Sequence, residues 1–318
     1  MHNDAPQHFV FLLVDEFTHL AFSCAIEPLR IANLISGKTL YKWSLMSANG
    51  KTATSSNDVV TQVDRGYSEL VRGETLFVLS GLHVKENTTP ELLSVIRRER
   101  AKGRLAGALC SGAYCLARTG VMDGLETAIH WDFHDSFMEE FPEVKLVRNV
   151  FVASEKYITA SGGTATADLM LHLIERDHGR DLGIEVADMM LHNSVREPTA
   201  EQKLSLQSRH GIRNAHLSKA IKMMTDNLEH PIPPSEIADE VGISARQLER
   251  LFGRHLNCSP KKYYVDMRLQ KARNLLLQTE KTVTEIAFLA GFASPAHFAR
   301  VYRNQFGITP MNQRGKIV

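Results

Sequence analysis

The chain has 318 residues, with 37 Lys/Arg, 36 Asp/Glu, 43% hydrophobic and 23% charged side chains, an ordinary globular composition long enough for two domains. Its longest apolar runs, such as Phe9–Val14, fall far short of the roughly 18–20 residues of a membrane helix, and Met1-His2-Asn3-Asp4-Ala5 lacks the basic-then-apolar pattern of a secretory signal. Four cysteines, at positions 24, 110, 115 and 258, do not make a disulfide scaffold in a chain this long, so a reduced, cytoplasmic protein without membrane association is expected.

The first part of the chain alternates two patterns. Phe9–Val14 is a continuous apolar run of strand length, and residues 18–35 place Leu20, Cys24, Leu29 and Ile31 near helical spacing. Further short apolar runs follow at Trp43–Met46, Leu76–Leu79 and Leu105–Leu109, and Pro90–Lys102 between the last two puts Leu92, Leu93 and Ile96 on one helical side. Another apolar strand is expected to end in Ile129-His130-Trp131. Buried strands alternating with amphipathic helices predict an α/β domain, a doubly wound, flavodoxin-like parallel sheet covered on both faces. The polar stretch 195–213 reads as a connection, and every later segment looks helical. The expected organisation is a first domain over 1–195, a linker over 196–213, and an all-α domain over 214–318.

Charge divides the same way. From residue 210 onward there are 16 Lys/Arg against 9 Asp/Glu, a net +7, while the rest holds 21 against 27, a net −6. A basic module on an acidic body points to nucleic acid as the partner of the C-terminal part.

That part repeats itself. Glu236-Ile237-Ala238 with Gly242 recurs as Glu285-Ile286-Ala287 with Gly291. One residue later in register, Ser244, Leu248, Phe252 and Pro260 recur as Ser294, Phe298, Tyr302 and Pro310. Each unit reads as a helix-turn-helix. Gly242 and Gly291 suit a left-handed C-cap. Ser244 with Gln247, and Thr282 with Glu285, predict capping boxes, and Pro295 suits a first helical position after Ser294. The polar faces of the two second helices are the expected DNA-reading surfaces. Arg246, Gln247 and Arg250 form one, and Ala296, His297 and Arg300 the other, with Arg and Gln suited to guanine and adenine edges. Arg254, Lys261, Lys262, Arg268, Lys271 and Arg303 are expected at phosphates. Residues 263–278 carry an apolar stripe and predict a helix joining the two heads. Adjacent major grooves on one DNA face lie about 34 Å apart.

Residues 214–315 resemble the AraC/XylS family of DNA-binding domains. The resemblance is carried by Arg268-Leu269-Gln270-Lys271-Ala272-Arg273-Asn274-Leu275-Leu276 and by Ile286–Pro310, which match the linker-helix and second-motif signatures. It implies a sequence-specific transcriptional regulator, most often an activator, with RNA polymerase as a further partner.

In the first domain, Ala106–Ala113 ends a strand and opens a helix with Cys110 and Ser111 at the turn. A cysteine above backbone N–H groups at a positive helix end is expected to have a lowered thiol pKa. Ligands of doubly wound sheets collect at the carboxyl ends of strands, where Cys110 and His130 are expected. Trp131 suits either stacking on a cationic ligand or core packing. The turn Gly162-Gly163-Thr164 suits either an anion or a tight bend. His130 and His134 have helical metal-ligand spacing, but no third ligand is identifiable, so neither a metal nor a cofactor is expected.

This half is similar to class I glutamine amidotransferase-like, PfpI-like domains, and more closely to those fused to AraC-type domains. Residues 22–33 (FSCAIEPLRIAN), Cys110–Tyr114, Ile129-His130-Trp131, and Ser161–Ala165 with Asp168 carry that likeness. It implies a small-molecule sensor and homodimerisation unit, some of whose relatives respond to quaternary amines or amino acids. It also implies that Glu27, Cys110 and His130 stand where the family has an acid, an elbow cysteine and a histidine. Peptidase-like relatives carry a histidine after the cysteine, where this chain has Ser111. A ligand pocket built on Glu27, Cys110, Ser111, His130 and Trp131 is therefore expected, in a protein that is not an enzyme. The alternatives are a thiol enzyme tethered to DNA and a constitutive DNA-binding dimer.

Overall fold

The structure, a computed structural model, describes residues 5–202 and 214–314. The chain divides into two compact units, Met1–Gln202 and Lys203–Val318.

In the first unit β1 (Gln7–Leu13) leads into α1 (His19–Ser36) and β2 (Tyr41–Met46). A small hairpin of β3 (Thr52–Thr54) and β4 (Val60–Gln62) precedes β5 (Glu74–Ser80). Then come α2 (Val84–Asn87), α3 (Pro90–Ala101), β6 (Leu105–Cys110) and α4 (Gly112–Ala117). After β7 (Glu126–Thr127) and a 3-10 turn at Trp131–Phe133 lie α5 (His134–Glu140), β8 (Lys145–Leu146), β9 (Phe151–Ala153) and β10 (Ile158–Ala160). The unit closes with α6 (Ala165–His178) and α7 (Arg180–Met189).

The main sheet runs β2-β1-β5-β6-β10-β9, parallel except for the antiparallel edge strand β9. Strand β1 shows why both faces are covered. Phe9, Phe11 and Leu13 belong to one core with α1 and α6, whereas Val10 and Leu12 belong to another with α3 and α4. Side chains alternate across a strand, so a continuous apolar run buries both sides. The expected parallel α/β sheet is present, with one departure. The segment Ile129-His130-Trp131 ends no strand: β7 stops at Thr127 and pairs with β8 in a separate ribbon. His130 therefore does not sit at the end of a main-sheet strand.

Residues 196–202, which the sequence assigns to a linker, fold onto this unit. Val150 N–H donates to Ala200 O (2.8 Å), and Gln202 N–H donates to Arg148 O (3.0 Å). The rest of that expected linker, 203–213, lies outside the described residues.

The second unit is helical: α8 (Ala215–Asp226), α9 (Pro234–Val241), α10 (Ala245–Leu256), α11 (Pro260–Gln278), α12 (Val283–Leu289), α13 (Pro295–Phe306) and α14 (Pro310–Arg314). The repeat is visible in its two cores. Leu248 and Phe252 are buried with Ile237 and Ala238, and Phe298 and Tyr302 with Ile286 and Ala287. Helix α11 contributes to both cores, Tyr264 to the first and Leu269, Ala272, Leu275 and Leu276 to the second. Among the described residues no helix is long and apolar enough to cross a membrane.

Candidate ligand crevice and nucleic-acid interface

Strand β6 ends on Cys110 at φ 57°, a left-handed conformation for a non-glycine residue, of the kind that costs about 1–3 kcal/mol and persists only where its surroundings enforce it. Here the enforcement is close packing. Gly162, at φ 92°, lies so near that a Cβ on it would sit 2.7 Å from both Cβ and Sγ of Cys110. Next to Cys110, the buried Ser111 Oγ donates to Gly81 O at 2.6 Å. Cys110 Sγ lies 3.3 Å from Thr18 Oγ1. Burial pushes the thiol above its ordinary pKa and outweighs the opposing effects of Thr18 and the Ser111 backbone. The expected lowering of the thiol is therefore overturned: desolvation of the thiolate exceeds what the helix end provides.

The other expected ligand residues divide. Glu27, on α1, directs its carboxylate to the Arg30 guanidinium at 2.6 Å, with 47% of its side chain exposed. Its surroundings are those of a surface ion pair. His130 and Trp131 lie together, ring centroids 5.3 Å apart, and His130 Nδ1 accepts from Asp132 N–H at 3.3 Å. Trp131 is 36% exposed. The structure thus brings Cys110 to Ser111 and His130 to Trp131, and turns Glu27 to Arg30.

Sequence reasoning missed a network around Asp168 of α6, whose side chain is fully buried. His192 Nε2 and the Arg196 N–H donate to Oδ1 at 2.7 and 3.0 Å, and Arg196 Nε donates to Oδ2 at 2.8 Å. The Arg196 guanidinium also donates to Thr164 Oγ1 at 2.7 Å. Residues 192–202 are held at their other end by Gln202, whose Nε2 donates to Ile129 O and Asn149 O, both at 2.9 Å. This strap joins the residue beside His130 to the last residue of the first unit. The one available signal was Asp168, an acid inside an otherwise apolar helical stretch.

In the second unit the predicted caps form. Ser244 with Gln247 and Thr282 with Glu285 make capping boxes, and Ser294 accepts from His297 N–H at 3.4 Å. Arg246, Gln247 and Arg250 on α10 are exposed, as are Ala296, His297 and Arg300 on α13. Gln247 Oε1 is held in its box by Ser244 N–H at 2.8 Å. Two expected phosphate contacts turn inward instead. Arg268 donates to the carbonyls of Ala290 and Gly291. Lys271, 13% exposed, approaches Glu229 at 4.0 Å.

Residues 8–176 match the DJ-1/PfpI family, and residues 237–316 match a helix-turn-helix domain. The HTH-type transcriptional regulator GbdR of Pseudomonas aeruginosa is 38% identical over 98% of this chain and 85% of its own length. The HTH-type transcriptional regulator GlxA of Rhizobium meliloti is 33% identical over 97% of this chain and 95% of its own. The chain belongs to the AraC-type HTH transcriptional regulators that carry an N-terminal DJ-1/PfpI domain. A solved AraC family transcriptional regulator from Pseudomonas putida superposes with a TM-score of 0.51 at 26% identity, over 58% of this chain and all of that one. As an AraC-type regulator the protein binds DNA through its helix-turn-helix units. In its DJ-1/PfpI domain Cys110 sits at a left-handed strand end, and burial raises the pKa of its thiol.

Proposed function

We propose that this regulator senses a small metabolite in its DJ-1/PfpI domain and passes the event to its DNA-binding unit through residues 192–202. The observation that carries this reading is the position of Gln202. Its amide bridges Ile129 O and Asn149 O, one residue from His130 and at the point where the chain leaves the first unit. A ligand that moves the His130–Trp131 turn changes the carbonyl that Gln202 holds. A ligand shifts such an equilibrium only by its difference in affinity between the latched and released states.

The ligand class favoured is an amino acid or quaternary amine. Support comes from the sequence resemblance, and from Trp131, partly exposed beside His130, because aromatic rings attract cationic groups. Glu27, Cys110 and Ser111 remain proposed pocket residues. The domain is a sensor and not an enzyme in this reading, because a thiol whose pKa is raised by burial is a poor nucleophile near neutral pH. Exposed Ile184, Met189 and Leu191 near its C-terminus support a homodimer. In the second unit, Arg246, Gln247 and Arg250, with Ala296, His297 and Arg300, are proposed to read bases in successive major grooves. Activation by contact with RNA polymerase is the mode that the AraC resemblance favours.

The test is the melting temperature of the full chain against a panel of amino acids and quaternary amines. Ligand at 100 times its Kd stabilises the folded state by about 2.7 kcal/mol. A specific rise that is lost in His130→Ala supports the sensor. A flat panel in both proteins favours a constitutive regulator.

A further inference from the structure

Arg268 lies in the middle of α11, the helix that joins the two DNA-reading halves. Its Nε donates to Ala290 O at 2.8 Å, and its Nη2 donates to Gly291 O at 2.6 Å. Its guanidinium carbon lies 4.1 Å from the centroid of the Phe292 ring. These three residues are the turn between α12 and α13, three positions before the second reading helix begins at Pro295. The carbonyls at the end of α12 are the negative end of that helix, where a cation is favoured, and a planar fork that also stacks on a ring fixes direction as well as distance.

The same turn meets the first half of the unit. A Cβ on Gly291 would lie 2.5 Å from Leu228 O and 2.9 Å from Glu229 O, so the backbone of the second motif touches the loop between α8 and α9. Tyr264, one turn before Arg268, donates its hydroxyl to Asn227 O at 2.6 Å. Lys271, one turn after, approaches Glu229. Residues 264, 268 and 271 share one face of α11. That face ties the 227–231 loop of the first half to the 290–292 turn of the second.

We infer that Arg268 is a positioning residue that fixes the two reading helices relative to each other and thereby sets the half-site separation the regulator accepts. It does so without touching DNA. A rigid pair of heads rejects a site in which one base pair is added between the half-sites, because that base pair rotates and displaces the second groove. A pair freed at the 290–292 turn follows the groove.

The test uses the full-length chain and a duplex selected by it from a random pool, with derivatives carrying one base pair more or fewer between the two contacted segments. The wild-type protein is expected to lose tenfold or more in affinity on either derivative. Arg268→Ala is expected to bind the parent duplex more weakly but to lose less than threefold on the derivatives. The slope of log affinity against log salt is expected to stay at the wild-type value. A phosphate contact would instead lower that slope by about 0.9 and weaken all three duplexes equally, and that result overturns the proposal. Circular dichroism checks folding. Should Arg268→Ala prove unfolded, Arg268→Lys keeps the stem and the charge and decides the question: a reduced spacing penalty supports the brace, and an unchanged one refutes it.

Discussion

Replacing Arg196 by Ala tests the strap at its anchor. The substitution removes the guanidinium from a fully buried carboxylate, together with its bond to Thr164. Removing one partner of a buried ion pair costs about 3–5 kcal/mol when the other is left alone. Asp168 is not left alone, because His192 Nε2 and the backbone N–H of residue 196 still donate to it. The Arg196 side chain is also 31% exposed, and solvent weakens such a pair. A loss of about 2 kcal/mol is therefore expected. In a unit of this size each kcal/mol shifts the midpoint by about 2–4 °C, so the calorimetric transition of the first unit should fall by about 4–8 °C. Hydrogen exchange should report the same event locally, with faster exchange at the amides of residues 196 and 202. A fall below about 1 °C with unchanged exchange would refute the reasoning, because the strap would then be held without its buried charge.

The remaining predictions concern the elbow and the heads. Native Cys110 should alkylate slowly at neutral pH. Because burial raises its pKa, the thiolate appears only as pH climbs past the ordinary thiol range, and fast labelling at pH 7 would contradict the buried elbow. Gly162→Ala combines a 2.7 Å clash with Cys110 and φ 92°. It should cost about 1–3 kcal/mol, read as a lower denaturant midpoint, and a neutral effect would mean that the elbow relaxes freely. Thr282→Ala removes a capping box and should destabilise the second unit by about 1 kcal/mol, measured by thermal unfolding. Arg246→Ala and Arg300→Ala should each weaken selected DNA by about 1–3 kcal/mol while leaving random DNA nearly unaffected. Equal losses on both would make them phosphate contacts.

Much of the architecture was legible because it follows local rules. The run Phe9–Val14 names a strand buried on both faces, and β1 is one. The repeat centred on Ile237-Ala238 and Ile286-Ala287 names two helix crossings, and all four side chains are fully buried. The caps at Ser244, Thr282 and Ser294 follow from short-range hydrogen bonding and form as read.

The failures share a cause, which is that partners distant in sequence decide them. Residues 196–202 look like a linker because they are polar, yet Arg196 and Gln202 find carboxylate and carbonyl partners on the folded unit. Arg268 has the same composition signal whether it faces a phosphate or the end of a helix, and only tertiary placement chooses the carbonyls of Ala290 and Gly291. The helix-end argument for Cys110 considered the dipole and not the burial that outweighs it. Ile129-His130-Trp131 has strand-like apolarity, but the chain turns there, and Ile129 O is taken by Gln202 instead of a neighbouring strand.

Hydrogen exchange on the full chain, with and without a metabolite that raises its melting temperature, tests the central claim most directly. The account predicts altered protection at residues 129–131 together with residues 192–202, because Gln202 couples the two segments. A change confined to residues 129–131, with the strap amides unaltered, would contradict transmission through the strap.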